Sequence, residues 1–251
     1  MSTDIATVVA HRTEALALPD YIKKGDVRGS ENIQNTDIRF PALKLAQSTT
    51  PETKSHKAEF IAGLHEGELF NSVSREVYGD AAIQFVIVNQ LGHRNVEFDP
   101  GDRNIVIDGN VPDNDPRCEF TEKILDGKKI RVNPVAVRFY DYLLLALIGN
   151  REPTLLTLSL KKTQLKKAVG LNSVIKLSKL PAFAHLFTGK PVPESRGDNS
   201  WYGWRFDQAG WPTEDLFNLA SRYYDQYANR VITVETEPEV ESEVDPEKIP
   251  F

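Results

Sequence analysis

From Glu235 to Glu247 every second residue is acidic, and no other stretch limits so sharply what this chain can fold into. Like charges at that spacing repel, and Pro238 and Pro246 interrupt both a helix and a β-ladder. A period of two suggests a strand, but the intervening residues are mainly Thr, Pro, Ser and Val. Residues 231–251 are therefore expected to form a disordered, extended tail. The seven acids and one base (Lys248) of residues 235–251 sum to −6, the formal charge of the whole 251-residue chain, so residues 1–234 balance to zero. The acidic balance belongs to the tail and leaves room for a body that binds nucleic acid.

The tail closes on Ile249-Pro250-Phe251. An acidic run leading into a final Ile-Pro-Phe resembles the C-terminal tip of bacterial single-stranded-DNA-binding proteins. Some phage single-stranded-DNA-binding proteins similarly end in an acidic tail with a terminal Phe. The resemblance implies that the Phe ring enters an apolar pocket on replication and repair proteins, while basic residues around the pocket take the carboxylate and the acidic run. On that likeness Asp245, Glu247, Ile249, Pro250 and Phe251 are the partner-binding residues. An aromatic anchor, an end-carboxylate and diffuse negative charge make a portable docking peptide on general grounds too. Two departures stand out: Lys248 sits where the bacterial tip is acidic, and Glu alternates with other residues instead of forming a continuous Asp run. A purely solubilising tail is the alternative.

The remaining chain can bury a sizeable core. Cys118 is the single cysteine, which excludes an internal disulfide framework and a zinc site built from several thiolates. No apolar run approaches the roughly 20 residues of a membrane span, and no basic segment with an apolar follow-on opens the chain. A soluble protein of the cytoplasm is expected, the host cytoplasm if the gene is phage-borne, with no membrane partner and no cofactor.

Residues 1–36 read as a partly mobile arm holding a short helix over 5–18, and residues 37–230 as the folded body. Residues 82–89 are β-branched and apolar, a buried strand, with residues 95–98 expected to pair with it. Residues 99–117 read as mostly loop. Residues 119–125 and 128–132 flank Asp126-Gly127, a favoured type I′ hairpin turn. Residues 135–148 and 154–160 are strand-like, residues 163–177 have helical spacing with Asn172 as a polar defect, and residues 189–200 read as a Pro/Gly/Ser loop. Residues 201–211 suggest a strand pair. Thr213, followed by Glu214 and Asp215, opens a helix with a Leu216, Leu219, Ala220, Tyr223, Tyr224, Tyr227 stripe. The fold class expected is mainly β with a few helices (α+β). By fold-level analogy it is a five-stranded barrel of oligonucleotide-binding type (OB-fold) with insertions and an acidic tail.

Unpaired DNA needs cations that follow phosphates and rings on which bases stack. Three places combine them. Alternation puts Arg138, Tyr140 and Tyr142 on one strand face. Lys161, Lys162, Lys166, Lys167, Lys176 and Lys179 lie in a stretch with no acid, unlike an ordinary solvated helix face that mixes in Glu. In residues 201–206, Tyr202, Trp204 and Phe206 share a face and suit a core, which leaves Trp201 and Arg205 for DNA. Lys128, Lys129 and Arg131 beside the hairpin turn could clamp the backbone. A core strand and a solvated helix face are the plain alternatives. Extended, the last seventeen residues reach about 55 Å, enough to lie over a basic groove of the same molecule and compete with DNA.

Asp99, Asp102, Asp108, Asp113 and Asp115 lack calcium-loop spacing, and the five histidines are scattered. No metal site and no enzyme is expected. The leading reading is a sequence-nonspecific single-stranded-DNA-binding protein of replication, recombination or repair that recruits partners through its tip. The alternative is an adaptor or host-directed inhibitor that mimics the tip without binding DNA. Homo-oligomerisation is left open.

Overall fold

The computed structural model describes residues 40–101, 105–125, 128–230, Gly29, Asn32, Ile232 and Val234, with the backbone alone for Leu125, Lys128 and Ile130. The chain divides between residues 38 and 39 into two units, and the fold below belongs to the second. The expected helix over 5–18, Asp126-Gly127, Asp102 and the tail from Glu235 to Phe251 lie outside the described residues.

The described chain is mainly β, with two helices. In order it forms β1 (Leu43–Leu45), β2 (Leu69–Asn71), β3 (Val77–Gly79), β4 (Ile83–Phe98), β5 (Val106–Val111), β6 (Thr121–Leu125), β7 (Lys128–Val132), β8 (Ala136–Leu147), β9 (Thr154–Lys161), α1 (Leu165–Ser178), β10 (Leu186–Arg196), β11 (Asn199–Gly210) and α2 (Glu214–Tyr227). Short 3₁₀ turns lie at Pro51–Thr53, Pro116–Cys118, Lys162–Gln164 and Ala182–Ala184. The principal sheet runs β11-β10-β4-β8-β9, with β5 also on β4; β1-β2-β3 and β6-β7 make smaller antiparallel sheets.

β4 and β8 form the centre because their apolar residues are buried on both faces, so each reads as a continuous hydrophobic run. One face sends Phe85, Ile87, Tyr142, Leu144 and Ala146 into a core with Leu156, Leu158, Phe187 and Trp204. The small sheet (Leu43, Leu69) and α1 (Ala168, Leu171) pack on that core. The other face sends Val86, Val88, Leu143 and Leu145 against Phe183 and against Leu216 and Ala220 of α2. Truncating one such leucine to Ala costs about 2–5 kcal/mol. α2 begins where the sequence places it: the Thr213 hydroxyl accepts from the Leu216 N–H at 3.3 Å.

Further along that second face, Val96, Phe98 and Phe139 make a separate cluster. Beside Phe139 runs a polar seam. Arg94 Nε donates to Asp141 Oδ2 at 2.7 Å, and Ser159 Oγ donates to Asp141 Oδ1 at 2.5 Å. The Arg94 guanidinium sits 4.7 Å from the Phe139 ring centre. Removing the Arg94 charge leaves the buried Asp141 carboxylate with Ser159 alone of these two side-chain partners, the costly way to break a buried ion pair.

Four local expectations are corrected. Residues 95–98 continue β4 instead of pairing with it; the register slips twice on the way, and Gly92, at φ 104°, occupies the second slip. Residues 106–111, expected as loop, form β5 on the β4 edge beyond Asn95. Residues 189–200 are strand and turn: β10 pairs with β11 through Arg196↔Asn199, so the tight turn is Gly197-Asp198 and residues 201–210 are one strand. Pro191 and Pro193 give residues 189–200 the composition of a loop. β10 leaves β4 at Gly189↔Ile83, and two prolines spaced by two put their missing N–H groups on that vacated edge.

Among the described residues the sheets do not close into a barrel, so the OB-type closure expected by analogy is not confirmed. The small sheet instead spans the ends of the large one. Ala42 makes a parallel bridge to Thr157 of β9. At the opposite end, Gln47 donates to the Tyr202 carbonyl and accepts from its N–H, both at 2.9 Å. Gln164 Oε1 accepts from the Trp204 N–H at 2.9 Å. Two side-chain amides thus stand in for the missing neighbour of edge strand β11.

Candidate nucleic-acid interface

Between α1 and the β10–β11 hairpin lies a groove of ≈ 520 Å³. Gly170, Leu171 and Val174 line it on the helix side, and Phe187, Val192, Trp204 and Phe206 on the hairpin side. Phe206 stacks on Trp204 at 5.5 Å and 11°, which makes an aromatic floor. Lys167, Arg205, Asp207 and Gln208 supply the polar lining.

The cations of α1, of the turn leading into it and of the ribbon divide into paired and unpaired ones. Lys167 is ion-paired with Glu194. The same carboxylate accepts from Trp201 Nε1 at 2.9 Å and Gln164 Nε2 at 3.3 Å. Burial pushes the Glu194 carboxyl upward, but the bonds from Lys167, Trp201 and Gln164 together outweigh it and hold it below the usual range. Gly203 makes room for this cluster, since a Cβ there would lie 2.5 Å from the Glu194 carboxylate and 2.7 Å from the Gln164 amide. Arg205 pairs with Asp207 at 2.9 Å and remains well exposed. Lys166, Lys176, Lys179 and Lys190 are exposed and make no ion pair among the described residues. Lys190 stands directly opposite Arg205 in the ladder, and like charges so placed are destabilising unless something else uses them. Lys161 lies over the Phe139 ring, 5.3 Å from its centre, and Lys162 opens the turn into α1 at φ 52°.

The Arg138 strand has a different fate. Alternation holds, but α1 covers the face at Tyr142, which is buried, its hydroxyl 3.0 Å from Asn172 Oδ1 and 3.2 Å from the Ala168 carbonyl. Burial and the neighbouring Tyr140 push its phenol well above the usual value. A ring with no open face cannot stack on a base, so Tyr142 is a core residue. Tyr140 is half-buried, tilted against His93 at 5.7 Å. Arg138 donates to Asn95 Oδ1 at 3.0 Å and to Asp113 at 2.7 Å.

The hairpin expected at residues 119–132 forms as β6 and β7 in the expected register. Lys129 pairs with Glu122 at 3.2 Å, and the Arg131 guanidinium lies 3.6 Å above the Phe120 ring; the Lys128 side chain is outside the described set. At the hairpin's root Arg117 gathers acids: Asp115 at 2.7 Å, Glu97 at 2.5 Å and Asp108 at 3.2 Å. The two-pronged bond from Arg117 holds the Asp115 carboxyl at about 2. Among the described residues no group of three or more His, Cys, Asp or Glu is placed to hold a metal ion. Burial and the nearby Asp115 carboxylate push the Cys118 thiol up, which disfavours the thiolate.

The family model of the Pam3 phage gp34-like protein matches residues 11–233. The chain belongs to that family. The match takes in every described strand and helix. No curated protein and no solved structure matches the chain. No helix among the described residues is long and apolar enough to cross a membrane.

Sequence reasoning missed Lys190, Glu194 and Gly203 of this family member. Lys190 and Glu194 sit among prolines in a stretch whose composition predicts a loop. The strict alternation of Lys190, Val192 and Glu194 around Pro191 and Pro193 was the available strand signal.

Proposed function

We propose that this phage-family protein binds single-stranded DNA without sequence preference, for replication, recombination or repair. The observation that carries the reading is the aromatic-floored groove between the acid-free α1 and the β10–β11 ribbon, which Arg205 lines and beside which Lys190 stands directly opposite Arg205 in the ladder. Exposed Lys166 and Lys176 on the helix and Lys190 and Arg205 on the ribbon supply phosphate contacts. The Phe206 ring, and Trp201 beside Glu194, offer faces for bases; such stacks contribute roughly 1–3 kcal/mol each. An open antiparallel sheet with rings and cations along one hairpin takes the place that the OB barrel holds in the analogy.

The tail supplies the second half of the reading: Asp245, Glu247, Ile249, Pro250 and Phe251 recruit replication and repair proteins. A protein so built works in the host cytoplasm and performs no chemistry of its own.

Fluorescence anisotropy with labelled oligo-dT at two salt concentrations tests the proposal. Binding that weakens steeply with salt is expected, and replacing one phosphate-contacting cation, Lys190→Gln, flattens the log–log slope by ~0.7. No binding at low salt, or binding indifferent to salt, would sink it and favour the tip-mimicking adaptor.

A further inference from the structure

Strand β5 is an edge strand that breaks the usual rules for edges. Its inner side pairs with β4 through Asn95↔Val111, Glu97↔Asp108 and Phe98↔Val106, and its outer side carries no ladder among the described residues. Ile105, which leads into it, and Val106 and Ile107 within it are exposed at 53%, 40% and 54%. Edges left in water are normally short, charged, bulged or covered. Three consecutive β-branched residues on an open edge are instead a template for another strand.

The β6–β7 ribbon has the opposite deficit. It forms a two-stranded sheet with no ladder to the rest of the described chain, and an isolated two-stranded hairpin is marginal in water. Ile124 is 74% exposed and Phe120 54%. The ribbon's strands carry Lys123, Lys128, Lys129 and Arg131 against Glu122 alone. Among the described residues around β5, Glu97, Asp99, Asp108, Asp113 and Asp115 stand against Arg117 and Arg138. The edge lacks a strand and is acidic; the ribbon lacks a sheet and is basic.

We propose that the chain pairs with a second copy of itself, the β6–β7 ribbon of each copy adding to the open β5 edge of the other. Ribbon and edge are neighbours within one copy, because Arg117 at the ribbon's root bonds to Glu97 of β4 and Asp108 of β5. A two-fold axis near that root brings both exchanges together, giving a closed, isologous pair. Backbone hydrogen bonds supply the attachment, burial of Ile107 and Ile124 the driving force, and the charge contrast the choice of ribbon over other strands.

The test is sedimentation equilibrium on the full chain across micromolar concentrations. Expected is twice the 28.2 kDa monomer mass. Ile107→Lys and Ile124→Glu should each raise the dimer dissociation constant by about tenfold or more. Leu177→Lys, at an equally exposed apolar site on α1, should leave it unchanged. Circular dichroism confirms that each variant keeps its fold. A monomeric wild type, or a dimer indifferent to both substitutions, overturns the proposal. So does a monomer whose oligo-dT binding falls with Ile124→Glu, which would make the ribbon a nucleic-acid contact.

Discussion

The Tyr142 hydroxyl, 3.0 Å from Asn172 Oδ1, ties the central strand β8 to helix α1. Asn172 thereby answers a polar group that the buried ring carries into the core. Tyr142→Phe should cost about 1 kcal/mol, the usual net worth of one such bond. Asn172→Ala should cost less, since the hydroxyl keeps the Ala168 carbonyl at 3.2 Å. Urea titrations in which the midpoint moves at constant m check both; a larger loss for Asn172→Ala would contradict this ordering.

His185 is buried, its Nε2 2.8 Å from Ser178 Oγ and its Nδ1 3.3 Å from the Gln208 amide. Ser178 Oγ donates to the Ile175 carbonyl, so Nε2 carries the donated proton and Nδ1 accepts from Gln208. Burial lowers the His185 pKa. Below its unfolded value of about 6.5 the unfolded chain binds more protons, so this contribution is complete above that pH and is lost as pH falls through the folded value. The Tm should drop on acidification from pH 7 to 5, and less steeply in His185→Gln. Parallel curves would show that His185 does not report on folding.

Glu194 holds Lys167 out of play beside the groove. Glu194→Gln keeps acceptors for Trp201 and Gln164 and removes the charge, releasing Lys167 to phosphate. The salt slope of oligo-dT binding should steepen by ~0.7. A flatter slope would mean that Lys167 serves the fold alone. Gly203→Ala should displace the same cluster sterically and lower the Tm as well, because its Cβ would stand 2.5 Å from the carboxylate.

Removing residues 235–251 deletes −6 of charge. If the tail competes with DNA for the body's cations, the truncated chain should bind oligo-dT more tightly at low salt, with the gap closing as salt rises. Equal affinity at low salt would dismiss the competition.

What could be read from the sequence followed chain-local physics. The Ala82–Asn89 run, the 136–147 strand, the Thr213 cap and the 121–132 hairpin register each depend on residues near one another in sequence, and each appears in the fold. Failures came where distant partners decide. Pro191 and Pro193 look like breakers until the strand that leaves their edge free is known. Tyr142 looks like half of a stacking face until α1 is placed over it. The like-charged Lys190–Arg205 pair exists through register alone, and Asn172 ceases to be a defect once a phenol is set against it.

The glutamine amides on β11 bear on how far association can spread. If both ends of the principal sheet were receptive, copies could queue head to tail without limit, the geometry of a fibre. With Gln47 and Gln164 occupying the N–H groups of Tyr202 and Trp204, one terminus is sealed from within. The other terminus, β9, already holds the parallel bridge to Ala42, so β5, off the main strand path, is the edge left for a partner strand, and a closed exchange there ends in a finite particle.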